Sequence, residues 1–146
     1  NRVYNGSFSP YKNYTQAELE EGLAAGRFMF HAVDGEARVL SDVNSLVNTT
    51  SEMGEVFKDN QTVRIVDQIA YDDAKLFTTK YLGVMPNDEA GRLSLWNDIV
   101  EHRKSLQRMR AIENFKDEAV QVERGNSKTS VVITSAICPI NSMAQL

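Results

Sequence analysis

The chain switches repeatedly between two periods of apolar spacing, and each switch marks a new element. Residues 3–8 alternate weakly and stop at Pro10, which predicts a short extended segment before a loop. Thr15 and Glu18 stand in capping-box spacing, and Gly26 supplies a residue able to turn left-handed, so a helix is expected over 16–25. In RFMFHAVDGEARVLSDV two alternating runs flank Asp34-Gly35, a dipeptide suited to a type I′ turn, and an antiparallel hairpin follows. Phe28, Phe30 and Ala32 share one face of its first strand and Met29, His31 and Val33 the other, which predicts cover on more than one side. NSLVNTTSEMGEVFKDNQ is polar and aperiodic, a loop that Leu46, Val47 and Phe57 are expected to anchor.

The period then becomes helical. Over 61–82, Ile65, Val66, Ile69, Ala70, Leu76, Phe77 and Tyr81 fall on one half of a helical wheel, opposite Arg64, Asp67, Gln68, Lys75 and Thr78. GVMPN breaks this helix, and Asn87 is placed to cap a second one running to 111, with Asp88 and Glu89 at its positive end. The second helix is expected to bury Leu93, Leu95, Trp96, Ile99, Val100, Leu106 and Met109, and the short connection makes the two antiparallel. Alternation returns in EAVQVERG and TSVVITSAI around Gly125, Asn126 and Ser127, a second hairpin. Hairpins and helices are segregated rather than interleaved, so the expected class is α+β: a small mixed β-sheet of hairpins packed against two long antiparallel helices and one short helix.

A chain of 146 residues, 42% hydrophobic, fits one domain with a single compact core, residues 1–146. Its net charge of -4 is spread rather than gathered into a basic field, which excludes nucleic acid as an expected partner. No apolar run reaches the roughly 20 residues a spanning helix needs, so membrane insertion is not expected. The single cysteine, Cys138, has no internal disulfide partner, and no signal-peptide pattern opens the chain, so folding in a reducing cytoplasm is expected. Four N-x-S/T triplets, at Asn5, Asn13, Asn48 and Asn60, would matter only in a secreted chain.

The search for chemistry finds few candidates. His31 and His102 are the only histidines and lack a spacing that puts two ligands on one metal. Cys138 shares a strand face with Val132, Thr134 and Ala136 and is expected to be a buried, inert thiol. Asp72 and Asp73 diverge on a helix; Asp73 falls inside the apolar arc and is expected to meet Arg92 or Arg103. No phosphate loop, G-x-S-x-G, H-E-x-x-H or C-x-x-C occurs, so neither catalytic residues nor a cofactor or metal site is expected. HRKSLQRMR is the one basic concentration. Most of it suits a helix C-terminus, while Lys104 and Arg108 share an outward arc with Glu101 and Ser105 and are available to an acidic partner.

Several blocks carry a resemblance: VYNGSFSPYKNYTQAELEEGLAAGRFMF, DVNSLVNTTSE, NQTVRIVDQIAYDDAKLFTTKYLG, PNDEAGRLSLWNDIV, RAIENF and the closing SVVITSAICPINSMAQL. Together they span essentially the whole chain, which resembles the C-terminal domain of tail sheath proteins from contractile bacteriophages and phage-like particles. The resemblance implies a structural protein rather than an enzyme. Its partners would be other sheath subunits in a helical lattice and the tail tube, and its location a virion or phage-like tail assembled in the bacterial host cytoplasm. In this family the domain forms the inner, tube-facing layer, and terminal arms add strands to neighbouring subunits while the sheath contracts to drive the tube through the envelope. Relative to that pattern, the N-terminal arm, a subtilisin-like domain and a last C-terminal strand are expected to be missing. The strand 129–137 should pair within its own hairpin, and the tail after Pro139 should lead away to a neighbour by β-augmentation. The candidate interface residues are therefore Lys104 and Arg108 toward the tube, with Val131, Ile133, Ile137, Ile140, Met143 and Leu146 toward other subunits. The alternative is a small cytosolic α+β enzyme or adaptor with a site near His31 or His102.

Overall fold

The computed structural model describes residues 2–7 and 12–143. They fall into two compact units where the length suggested one core: the first takes in the residues up to Arg64 and those from Asn141, the second is Ile65–Ile140.

In the first unit, helix α1 (Gln16–Ala24) begins with the expected capping box, Thr15 accepting from the Glu18 amide and Glu18 from that of Thr15. Lys12 and Thr15 hold the Glu18 carboxylate well below its usual range, at about 2. Gly26 ends the helix at φ 67°, and a Cβ there would lie 2.8 Å from the Asn44 carbonyl oxygen, so both conformation and space call for glycine. Strands β1 (Phe30–Val33) and β2 (Glu36–Val39) form the hairpin, with Asp34 at φ 51° and Gly35 at φ 81°, both positive as a type I′ turn requires. The opening segment lies along β2: Tyr4 donates to Ala37 O at 2.8 Å and Val39 to Arg2 O at 2.9 Å. Its expected extension to Phe8, and Pro10, lie outside the described residues. Met29 is buried with Leu19, whereas Phe28 remains half exposed, so only one face of the hairpin is well covered. The polar loop is held at its base by Asn44, whose side chain donates to Phe57 O at 2.7 Å, and it contains a short 3₁₀ turn, Glu55–Lys58.

Helix α2 (Asn60–Leu76) continues the chain and ends in a five-residue π turn, Phe77–Tyr81, where a plain helix to 82 was expected. The amide of Leu82 reaches back five residues to Phe77 O, at 2.9 Å. Helix α3 (Glu89–Arg108) is capped by Asp88, which accepts from the Gly91 amide at 2.7 Å, and not by Asn87. Asn87 instead donates to Lys128 O and Ser130 O, at 3.0 and 2.9 Å. The helices run antiparallel, as contacts of Ile69 with Leu106, Asp73 with Arg103 and Tyr81 with Ser94 show. On α2, Ala70 is exposed despite its place on the apolar arc. On α3, Leu95, Ile99, Val100, Arg103 and Leu106 are buried, whereas Leu93 and Met109 are exposed, contrary to expectation, because the buried stripe is narrower than the apolar one.

Past α3 the chain turns through Arg110 and Asn114, both at positive φ without glycine, with β3 (Ile112–Glu113) between them. Strands β4 (Val120–Arg124) and β5 (Val131–Ser135) form the second hairpin, with β4 against α3 and Trp96 Nε1 donating to Val120 O at 2.9 Å. Strand β6 (Cys138–Pro139) then pairs with β3. The α+β class holds, with the strands of the described residues shared among three two-stranded antiparallel ladders instead of one mixed sheet. Pro139, from which the tail was expected to lead away to a neighbour, sits inside a ladder of this chain. Ile140 donates to Ala111 O at 2.9 Å, so the adjacent Ile112–Pro139 pair is a non-hydrogen-bonded one and needs no N–H from proline.

This helical phase can be tested directly. Ile99→Ala, at a position with no exposed surface, should cost about 3 to 4 kcal/mol through lost burial and a cavity. Leu93→Ala should change stability by less than about 0.5 kcal/mol. Equal shifts in urea midpoint for the two would contradict the phase.

Candidate functional site

Of the polar residues nominated by sequence, Asp72, Asp73, His102 and Arg103 meet inside the second unit, where they serve packing. Arg103 projects from α3 with no exposed surface, and its Nη1 and Nη2 fork onto both oxygens of Asp73 on α2, at 3.0 and 2.5 Å. Its Nε donates to Ser135 Oγ on β5 at 3.3 Å, so one side chain joins two helices and a strand. Arg92, the other partner considered for Asp73, bonds instead to Asn87 O and Oδ1, each at 3.1 Å. His102 is fixed on both ring nitrogens. Nδ1 faces Arg103 Nη1 at 2.6 Å and must accept there, which leaves the proton on Nε2 to donate to Asp72 Oδ2 at 3.1 Å. A histidine engaged this way orients an arginine and offers no free nitrogen to a substrate. His31 lies on β1 in the first unit, half-buried. Among the described residues no group of three His, Cys, Asp or Glu side chains could hold a metal ion.

A second polar knot lies at the π turn. Tyr81 is buried and donates to Asp98, which also takes Lys80 Nζ at 2.6 Å. Burial pushes the Asp98 carboxyl up, and hydrogen bonds from Lys80 and Tyr81 outweigh it, holding the group below the usual carboxylate range. Burial and the bond to Asp98 push the Tyr81 phenol up.

The candidate interface residues divide by environment. Lys104 is already engaged by Asp117 at 2.8 Å, with Glu101 at 3.9 Å, while Arg108 is exposed. Val131 and Ile133 pack half-buried against the cluster of Leu95, Ile99 and Val120, and Ile137 packs against Ile69, Leu106 and Ile112. Ile140 is half-buried, Met143 is fully exposed, and Leu146 lies outside the described residues. Cys138 is exposed, against the expectation of burial, because the strand face it shares with Val132, Thr134 and Ala136 points to solvent.

The backbone of β5 shows what side chains alone do not. Gly125 N to Ser130 O and Ala136 N to Ala119 O mark the hydrogen-bonded pairs of the hairpin, so residues 130, 132, 134 and 136 turn their amides and carbonyls toward β4. Val131, Ile133 and Ser135 turn theirs the other way, and among the described residues no strand pairs with β5 on that side. Here is an open edge on a strand tied to the core through Ser135 and Arg103.

The phage tail sheath C-terminal domain model matches residues 52–146. The chain belongs to that family. The PBSX phage-like element protein XkdK of Bacillus subtilis is 26% identical over 148 residues, covering 95% of this chain and 32% of that protein. Among solved structures, a sheath tail protein from Desulfitobacterium hafniense superposes with a TM-score of 0.81 at 30% identity, over 91% of this chain and 31% of its own. One from Listeria innocua gives 0.84 at 27% identity, over 96% and 34%. This sheath domain thus spans about a third of the length of the relatives it matches.

Two outcomes follow from the polar knots. Arg103→Ala, which strands Asp73, should destabilise by about 3 to 5 kcal/mol, whereas Asp73→Leu combined with Arg103→Met should recover most of that loss in thermal unfolding. Asp98 has a lowered native pKa, so its contribution is present above the unfolded aspartate value of about 3.9 and is lost as pH falls through the lower native value. Asp98→Asn should therefore lose about 1 kcal/mol at neutral pH and show a flatter stability profile than the parent below about pH 4 in urea titrations.

Proposed function

We propose that this domain is a structural, non-enzymatic part of a contractile tail sheath, forming the inner layer around the tail tube and linking neighbouring subunits by strand exchange. The observation that carries this reading is the open edge of β5 in a member of the sheath family. Three backbone positions, Val131, Ile133 and Ser135, offer N–H and C=O groups in register, and their side chains are held inward by the core cluster and by Arg103. An edge of this kind is a template for a strand from another chain, and the packed core behind it keeps the template rigid while subunits move. Once β6 has paired with β3, residues 141–143, with Met143 exposed, form the exit path toward a neighbour, and 1–146 serves as the sheath C-terminal domain. Toward the tube, Arg108 is the available cation, and Lys104 would have to share itself with Asp117. Lattice contraction, which drives the tube through the envelope, is the work such links transmit, in a virion or phage-like tail built in the host cytoplasm.

The test separates the edge from the core. Ile133→Pro removes an outward N–H without touching the hairpin's own bonds, whereas Ile133→Ala removes only packing. With the protein as the cell makes it, electron microscopy should show sheath-like cylinders for the parent and for Ile133→Ala. For a folded Ile133→Pro protein, assembly should fall by about tenfold or more, the weight of roughly one lost ladder bond with its local distortion. Cylinders of undiminished yield from the proline variant would remove the edge from the account.

A further inference from the structure

We infer that the sheath domain carries a second, side-chain-driven contact between copies, in which the loop of residues 47–56 on one copy seats in an apolar groove beside the π turn of the next. It rests on the assembly reading above but uses neither the outward backbone groups of β5 nor the tube, although the Val131 side chain lines the groove.

The groove has a volume of about 280 Å³ and lies between the π turn, the start of α3 and the residues before β5. Phe77, Leu82, Met85 and Val131 supply its apolar wall, and Arg92 and Lys128 stand at its rim. Among the described residues no carboxylate forms a salt bridge with either cation. Its shape is held before any partner arrives. The π turn sets one side through the Leu82 amide, and Asn87 ties α3 to the carbonyls of Lys128 and Ser130 on the other. Leu82 is 58% exposed and Val84 72%, an apolar surface that water would otherwise cover at a cost.

The loop is complementary in charge and chemistry. Met53 is 50% exposed, with Val47 and Val56 in the same segment also exposed; Glu52 precedes the methionine and forms no salt bridge among the described residues, whereas Glu55 is paired with Lys58 at 2.8 Å. The tip is stiffened by Thr50, which donates its amide to Met53 O at 2.9 Å and accepts the Met53 amide on its hydroxyl at 3.0 Å. An unbranched thioether on a preorganised tip enters an irregular apolar groove with little ordering cost, while Glu52 approaches the rim cations. Knob and groove are different surfaces, so the contact is heterologous: each copy that fills a groove still presents its own, and the association repeats into a ring or an open helix. That is the kind of contact a stacked lattice requires.

Disulfide trapping tests it in a Cys138→Ser background, which removes the exposed native thiol. A tagged chain carrying Met53→Cys is mixed with an untagged chain carrying Met85→Cys and oxidised at low ionic strength. The heterodimer should exceed either homodimer by about tenfold, because only the mixed pair brings the two thiols into register. Lys128→Glu on the groove chain should cut the yield about fivefold, and Glu52→Lys on the loop chain should restore it. Heterodimer at the statistical proportion, or a yield indifferent to the charge swap, would overturn the contact. Cylinders that assemble without the crosslink count against this contact alone, and a strong crosslink in a protein that never forms cylinders counts against the sheath reading alone.

Discussion

A guanidinium with no exposed surface cannot be left without partners, and the second unit is arranged around meeting that demand. Arg103 reaches Asp73 with two parallel bonds, His102 with a third and Ser135 with a fourth, so α2, α3 and β5 share one set of charge-assisted contacts. An apolar side chain in its place would tolerate small slips of one helix along the other. The arginine does not, because a shift of an ångström or two strands a guanidinium that has no exposed surface. The apolar clusters on either side, around Ile99 and around Ile112, supply driving force, and the arginine supplies register.

That register sets what the surface can do. Because Ser135 is held from inside, β5 keeps its outer backbone groups in line without a second strand to brace them. Strand addition needs such an edge, straight and fixed beforehand, since the incoming strand bears the whole cost of its own ordering. The proline-bearing exit strand follows the same economy: β6 pairs with β3 at the one kind of position where a missing N–H is harmless. A sheath domain built this way combines an internally overdetermined core with a boundary of backbone groups left unpaired among the described residues.

The π turn at the end of α2 plays a comparable part on the helical side. Its wider turn places Tyr81 inward against Asp98, and the chain leaves through Gly83 with Leu82, Val84 and Met85 turned outward. The polar knot inside and the apolar surface outside are therefore two consequences of one local departure from α geometry. Neither is visible as a motif, because both depend on a local shift in the register of backbone hydrogen bonds.

What the residues determined alone was local chemistry with short reach. Thr15, Glu18 and Gly26 mark α1, Asp34-Gly35 marks the first hairpin, and the apolar arcs mark α2 and α3, since caps, turns and helical faces are settled within a few residues. That Asp73 needs an arginine was legible, because an ion on an apolar arc needs its opposite, whereas the choice of Arg103 over Arg92 was left to the fold. The resemblance to sheath proteins was legible too, in blocks spread over the whole chain. Tertiary structure alone decided which apolar residues were buried: Leu93 and Met109 carry the right chemistry on the wrong side of a stripe whose width is set by the partner surface. It also decided that Asn87 spans to β5 while Asp88 caps, that Cys138 faces solvent, and that β6 finds β3, because each choice depends on which distant backbone group arrives within hydrogen-bonding reach. The open edge of β5 is the same kind of fact: alternation predicts a strand, but only the placement of the other strands leaves one side of it unpaired among the described residues.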